Sequence, residues 1–395
     1  MNTKTSLRDF KTAVERRKFL EEELNISLEN TSNFSFSEDE VQGKNIENLI
    51  GATQIPLGVA GPIAISHQSS DISNHYIPLA TTEGALVASV SRGCKAILES
   101  GGVHVEYHNV GVTRAPVFKT AGIKQNVEVK KWLGENYQKI KRLCESTSSH
   151  LKLLKIDSNF AGRSLFIRFS FDSEDAMGMN MATIATEKAG EFIEKETGIA
   201  CLSVSGNYDV DKKASWLNFI NGRGKQVWAD IILKKEVVEN TLKTSSDKIC
   251  NLILRKILTG SAMAGSMGFN AHYANIIAAI FAATGQDLGQ VVEGSLGLTA
   301  AETLDNGDLY FSIYLPNLMI GTVGGGTNLP TQKEALKIMG IKDSGDTKKF
   351  AMIIASAVLA GELSLLASQS AGTLGESHIK LGRKGLKRLN DGSTG

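Results

Sequence analysis

Ser164-Leu165-Phe166-Ile167-Arg168-Phe169-Ser170, Ile199–Ser205 (IACLSVS) and Gln226–Leu233 (QVWADIIL) are three runs of aliphatic, aromatic and β-branched residues. Such runs read as strands. Residues 181–196, between the first two, carry helical periodicity, and so do residues 126–145 before them. Strand and helix therefore alternate over roughly ninety residues after Pro116, which predicts a small α+β unit inserted into a larger one. From 235 onward the chain is helix-rich, with helices expected over 246–259, 272–284, 332–339 and 347–368 and a strand at Asp308–Tyr314 (DLYFSIY). Toward the N-terminus, Thr81–Ser100 reads as a helix offering Ala85, Leu86, Ala88, Val90 and Ile97 for burial. Glu47–Pro62 (ENLIGATQIPLGVAGP) reads as turns and short strands, and the polar stretch 30–45 as a connector. Residues 8–24 read as a charged amphipathic helix with Phe10, Val14, Phe19 and Leu20 on one stripe. The tail after Arg383 is basic, then small and polar, and is expected to fray.

Composition narrows the function. The 395 residues include 42% hydrophobic and 22% charged, which supports a packed core and argues against wholesale disorder. Lys and Arg total 43 against 42 Asp and Glu, so no basic field points to nucleic acid. Gly is abundant at 39 and Pro scarce at 6, a balance that favours close backbone packing and tight turns. Cys94, Cys144, Cys201 and Cys250 lie far apart with no C-x-x-C, so separate reduced thiols are expected and no zinc site. The N-terminus is too charged for a signal peptide, and the apolar stretches Ile276–Thr284 and Phe350–Gly361 are shorter than the ~18 residues a membrane span needs. A cytoplasmic protein is expected, with no metal, nucleic acid or membrane partner. Neither common nucleotide-binding glycine loop, no G-x-S-x-G and no H-E-x-x-H is present.

The chemistry must come from less familiar groupings, each with a structural alternative. Glu83, after Thr81 and Thr82, is a capping carboxylate or a proton donor in an apolar site. Lys212 and Lys213, in a loop after an expected strand, are solvated surface or a cation aimed at a carbonyl oxygen. Asp175-Ala176-Met177-Gly178-Met179-Asn180-Met181 is an Asp cap with core methionines, or a helix N-terminus offered to phosphate. His272 and Asn275 share one helix face. Asp287 stands where a helix C-terminus disfavours it, which asks for a reason such as a nearby lysine. Gly324-Gly325-Gly326 is a flexible turn or a backbone surface approached by a ligand. His378 follows a long apolar helix.

Taken in order, the strings ENLIG…IPLGVAGP, PLATTEG, RGC, DAMGMNM, SGNY..DKK, GSAMAGS, NAH.AN, GQD, GTVGGGTNL, GELSL and SH resemble the 3-hydroxy-3-methylglutaryl-coenzyme A reductases from Glu47 to about Arg383. The DKK loop and the length are similar to the class I branch, in a soluble, archaeal-type form. The resemblance implies an α+β fold: a helical N-terminal segment (1–50), a large mixed substrate- and CoA-binding domain (51–115 and 204–383), an inserted ferredoxin-like NADP-binding domain (116–203) and a flexible tail (384–395). It implies two hydride transfers from NADPH to a CoA thioester, yielding mevalonate for isoprenoid biosynthesis. The implied catalytic residues are Glu83, Lys212, Asp287 and His378. Asp287 would lie near both Lys212 and Glu83, keeping the lysine charged and Glu83 protonated as a donor. His378 would protonate the departing thiolate. Implied contacts to the hydroxymethylglutaryl group are Arg114, Ser205, Asn207, Asp211, Lys213, Lys256 and Asn275. For CoA they are Ser89, Ser91, Arg92, His272 and Ser364. For the dinucleotide they are Asp175, Met177, Gly178, Met179, Asn180, Gly285, Gln286, Gly324, Gly325, Gly326 and Arg383. Self-association into a homodimer or homotetramer is implied, with active sites between subunits. The chain departs from the animal pattern at Ser148-Ser149-His150, which lacks an arginine near the cofactor, a charge that Arg383 would supply. Lys384 stands where animal enzymes carry a regulatory serine.

Overall fold

The computed structural model describes residues 6–66, 72–342 and 344–372; the expected roles of His378, Arg383 and Lys384 lie outside them. Eleven strands are described: β1 (Leu57–Ser66), β2 (Ile72–Ala80), β3 (Val103–Arg114), β4 (Val117–Lys119), β5 (Lys152–Ala161), β6 (Ser164–Asp172), β7 (Ala200–Ser203), β8 (Gly224–Leu233), β9 (Gly268–Phe269), β10 (Gly297–Thr303) and β11 (Leu309–Leu318). They run in the order β7-β4-β6-β3-β8-β11-β10-β9, with β5 beside β6 and the β1–β2 hairpin joined through β3. β3 is the splice. Its first part pairs antiparallel with β8, from His104 opposite Asp230, and its end, Val112–Arg114, pairs with β6.

Two apolar cores follow from that splice. The larger surrounds the helix Thr347–Ser370, whose Ile353, Ile354, Val358, Leu359 and Leu363 are fully buried against Val227, Phe311 and Leu315 of the sheet. Burying each such side chain is worth about 1.5–3 kcal/mol. The helix Leu86–Glu99 crosses it in backbone contact, since a Cβ on Gly93 would stand 1.9 Å from the Ala360 carbonyl oxygen. The smaller core draws on residues 112–199 and Met319, with Phe118, Phe169, Phe171 and Ile140 at its centre. Here strands and helices follow the order β4, two helices, β5, β6, one helix, β7, and the strands lie side by side as β7-β4-β6-β5. That is the ferredoxin-like arrangement, with its first helix broken in two.

Several expectations are corrected. The segment 126–145 forms two helices, Ile123–Glu135 and Tyr137–Glu145, because Asn136 leaves helical geometry at φ −102°, ψ 9°. The helix expected over Thr81–Ser100 begins at Leu86, and Ala88 is exposed. At the N-terminus the helix spans Ala13–Leu24, started by a Thr12–Glu15 capping box worth about 1 kcal/mol. Val14 is exposed, and the buried positions are Ala13 and Arg16. Arg16 anchors the segment by donating to the carbonyls of Leu7, Phe10 and Leu49 and to Glu38. The apolar C-terminal stretch is also longer than its sequence reading: Thr347–Ser370 has the length and hydropathy of a membrane span, yet it is packed inside the fold as a core helix.

Candidate active site

The loop that follows β7 holds backbone where side chains resist it. Asn207, Val210 and Lys212 have φ of 62°, 52° and 55°. For β-branched Val210 this is an outlier region, so surrounding groups must impose it. Asn218, on the short helix Trp216–Asn221, donates its amide to the Val210 carbonyl (3.0 Å) and to Glu293 Oε2 (3.1 Å). The Lys212 N–H donates to Glu293 Oε1. Arg223, fully buried, lies 2.7 Å from that oxygen and 3.0 Å from Asp211 Oδ1. Burial by itself raises the Asp211 carboxyl, but Arg223, then the Gln290 amide and Lys212, outweigh it and hold the group below its ordinary value. At Glu293 burial wins and the carboxyl sits above its ordinary value despite Arg223.

This scaffold aims one side chain. The Lys212 stem runs over Gly289, where a Cβ would stand 2.8 Å from Lys212 Cδ. Its ammonium ends 2.7 Å from Asp287 Oδ2. Asp287 lies beyond the C-terminus of the helix Tyr273–Thr284, which Gly285 closes, and caps the next turn by accepting from the Gly289 N–H (3.0 Å). Asp287 is therefore satisfied twice, by the lysine its position called for and by a helix start where a carboxylate is favourable. Nearby, Arg114 pairs with buried Asp209 (3.1 Å), which also accepts from Ser205 Oγ (3.0 Å). Lys213 is exposed and donates to the Asp211 carbonyl, and Asn207 is exposed.

Beside Lys212 and Asp287 opens a groove of about 600 Å³, walled by Ala176–Met181, Gly285–Leu288 and the glycine loop 323–327. The two glycine loops touch through their backbones: a Cβ on Gly285 would stand 2.2 Å from the Gly326 carbonyl oxygen. Gln286 braces them, accepting from the Gly321 N–H at 2.9 Å. The N-terminus of the helix Met179–Thr197, whose N-cap is Gly178, faces the groove without a side-chain cap. Its open N–H groups suit an anionic group. Asp175, expected at the cofactor, turns elsewhere: its carboxylate accepts from Gly345 N–H (2.7 Å) and Thr347 Oγ1 (2.8 Å) at the start of the Thr347–Ser370 helix. Those bonds outweigh burial and keep it below the ordinary aspartate value. His150, in the place of the missing arginine motif, pairs with Glu174 at 2.7 Å.

The other expected residues gather around a second carboxylate. Fully buried Glu362 accepts from the backbone N–H of Ala271 (2.9 Å) and His272 (2.6 Å) and from Thr299 Oγ1 (3.0 Å), and it pairs with His272 Nδ1 (2.8 Å). It thereby fixes the start of the helix Tyr273–Thr284. Asn275, in that first turn, donates to Glu83 Oε2 at 2.6 Å. Glu83 is exposed and precedes the helix Leu86–Glu99, so it is neither a helix cap nor enclosed by apolar groups of its own chain. Arg92 donates to Ser364 and Ser368, and Ser89 meets Ser364 at 2.9 Å. Ser91 lies half-buried on the same helix as Ser89. Lys256 donates to Gln369, and burial, opposed by Glu362, holds its ammonium below the ordinary lysine value.

The expected catalytic residues thus fall into two half-sites. Asn275 lies in the first turn of a 12-residue helix, roughly 18 Å long, and Asp287 lies beyond its last turn. Lys212 and Asp287 meet at one end of that helix, while Glu83 meets Asn275 at the other. Sequence reasoning missed Arg223, Asn218, Gly289 and Glu293, which carried no motif signal. Glu362 had one: it is the single charged residue in the apolar run Phe350–Ser370.

The fold resembles that of Streptococcus pneumoniae structures titled class II 3-hydroxy-3-methylglutaryl-CoA reductase bound to NADPH in open conformations, with a TM-score of 0.69 at 18% identity over 91% of this chain and 97% of the other. In sequence it is 52% identical to the 3-hydroxy-3-methylglutaryl-coenzyme A reductase of Methanocaldococcus jannaschii, over 93% of this chain and 92% of that one. It is 44% identical to reductase 1 of Dictyostelium discoideum, over 95% of this chain and 70% of that one. Residues 12–383 match the hydroxymethylglutaryl-coenzyme A reductase family, to which this chain belongs.

Proposed function

We propose that the two half-sites together reduce (S)-3-hydroxy-3-methylglutaryl-CoA to mevalonate and CoA with two NADPH, in the mevalonate pathway. The observation that carries this reading is the Lys212 ammonium, held 2.7 Å from Asp287 at the lip of a glycine-walled groove. The groove fits a dinucleotide: its backbone walls allow close approach, and the open N-terminus at Gly178–Met181 suits a diphosphate. Met177, Gly178, Met179, Asn180, Gly285, Gln286 and Gly324–Gly326 would hold it, and residues 116–203 form the cofactor-binding insert. NADPH supplies the hydride.

As the thioester carbon becomes tetrahedral, its oxygen turns anionic and Lys212 neutralises it. Asp287 keeps the lysine charged. Collapse of this alkoxide re-forms a carbonyl and breaks the C–S bond, and the electron pair leaves with sulfur as CoA thiolate. His378 protonates the thiolate, which prevents its return. The aldehyde oxygen then meets the same lysine, and after the second reduction Glu83 gives it a proton, completing the primary alcohol. Arg114, Ser205, Asn207, Asp211, Lys213, Lys256 and Asn275 orient the hydroxymethylglutaryl group, and Ser89, Ser91, Arg92, His272 and Ser364 take the CoA portion. A second copy in a homodimer or homotetramer brings its Glu83 end against the Lys212 end of the first, and the enzyme works in the cytoplasm. Loss of reduced-nicotinamide absorbance, at two NADPH per CoA released, tests the reading. Folded protein that binds the thioester but oxidises no NADPH would overturn it.

A further inference from the structure

The mechanism above leaves a fully buried ion pair without a task. Arg223 and Glu293 meet at 2.7 Å with no exposed surface on either side chain. Such a pair is weak support for stability, since well-packed apolar residues often serve as well. We propose that Glu293 is a positioning residue of the reduction: with Arg223 fixing its carboxylate, it holds the Lys212 loop in the one backbone geometry that aims the ammonium. The inference rests on the reading of Lys212 as the cation that meets the substrate oxygen.

Three observations converge on it. First, the short segment Asp287–Glu293 touches Lys212 along its whole length: Asp287 at the ammonium, Gly289 under the stem and Glu293 at the peptide N–H. Second, the backbone held there is strained, with positive φ at both Val210 and Lys212. Released, either residue would relax toward negative φ and swing the lysine away from its target. Third, Glu293 grips both strained positions, Lys212 directly and Val210 through the Asn218 amide, whose two N–H groups go to Val210 O and Glu293 Oε2.

The test measures kcat and KM for hydroxymethylglutaryl-CoA and for free mevaldehyde, with thermal melts alongside. Glu293→Gln removes the charge and offers Asn218 a donor in place of an acceptor. Glu293→Asp keeps Arg223 neutralised, and so favours folding, but draws the carboxylate back from the Lys212 N–H. Both are expected to lower kcat for both substrates by roughly 30- to 100-fold, as misplacement of a catalytic group by about an ångström does, with KM for the thioester within about threefold. Adding Val210→Gly, which accepts positive φ freely, is expected to restore about fivefold of the lost kcat. Parent-like kcat in folded Glu293→Asp overturns the proposal even if Glu293→Gln does not fold. So does a loss that appears in KM and melting temperature alone, or one that Val210→Gly leaves unrelieved. Lys212→Met is the control: activity surviving in it would overturn the underlying reading of Lys212, whereas an inert Lys212→Met beside a parent-like Glu293→Asp sinks only the role of Glu293.

Discussion

The two ends of the helix Tyr273–Thr284 are built by opposite means. At its start, one buried carboxylate, Glu362, collects backbone N–H groups, a hydroxyl and a histidine ring, all within the largest core and on its most enclosed helix. Beyond its end, charges are stacked against one another, Arg223 on Glu293 and Asp211, Lys212 on Asp287, around a loop bent into strained backbone. The first arrangement is preformed and tolerates little change. The second holds a cation ready at an accessible groove, where its charge can act on a developing oxyanion. On the proposed reading, the difference separates a half-site that places substrate and presents the proton donor Glu83 from one whose cation meets the oxyanion.

Mutations sharpen or break this contrast. Lys212→Met should lower kcat by about a thousandfold with both the thioester and mevaldehyde, the scale of losing an oxyanion-stabilising group. Asn275→Ala, at the other end, should lower kcat/KM only about tenfold, one charge-assisted hydrogen bond's worth. Equal losses would erase the distinction. Stability should show the reverse order: Glu362→Gln strands donors inside the core and should cost about 2 kcal/mol in urea unfolding, while Glu293→Asp should cost less. Gly289→Ala is a finer probe. Its Cβ would press the Lys212 stem, a flexible group, so kcat should fall a few-fold with the melting temperature unchanged.

The smallest expected effect lies away from both ends. Asp175 has its folded value depressed, so its bonds to the start of the Thr347–Ser370 helix stabilise above the unfolded aspartate value, about 4, and that contribution fades as pH falls through the folded value. Melting temperatures between pH 5 and 3 should therefore drop more steeply for the parent chain than for Asp175→Asn. Identical slopes would show that this cap does not couple to folding.

Much of the architecture is legible in the sequence because strand runs such as SLFIRFS and long helices such as 347–368 are strongly periodic or apolar. The strands β2, β3, β5 and β10 are not, since they mix polar residues or glycine with apolar ones and are fixed by the strands they pair with, β2 by β1, β5 by β6, β10 by β11 and β3 by β8. The lysine asked for by Asp287 is found at Lys212. Other residues resisted inference for a physical reason. Whether Asp175 caps a neighbouring helix or one that begins at Thr347 is a matter of tertiary contact, which local spacing does not encode. Arg223 and Glu293 look ordinary in isolation, and only their meeting beneath the Lys212 loop makes them informative. The placement of Glu83 and Lys212 at opposite ends of the helix Tyr273–Thr284 is likewise set by tertiary contacts.

On the proposed reading, one working site needs the Glu83 end of one chain and the Lys212 end of another. This is tested most directly by co-expressing Glu83→Gln and Lys212→Met, each inert alone, and assaying the mixed oligomers. Random pairing within dimers should restore about a quarter of the parent activity, because half the dimers are hybrids and each hybrid carries one intact site. Hybrid dimers that form, as shown by tag-based purification, yet remain inert would contradict the account.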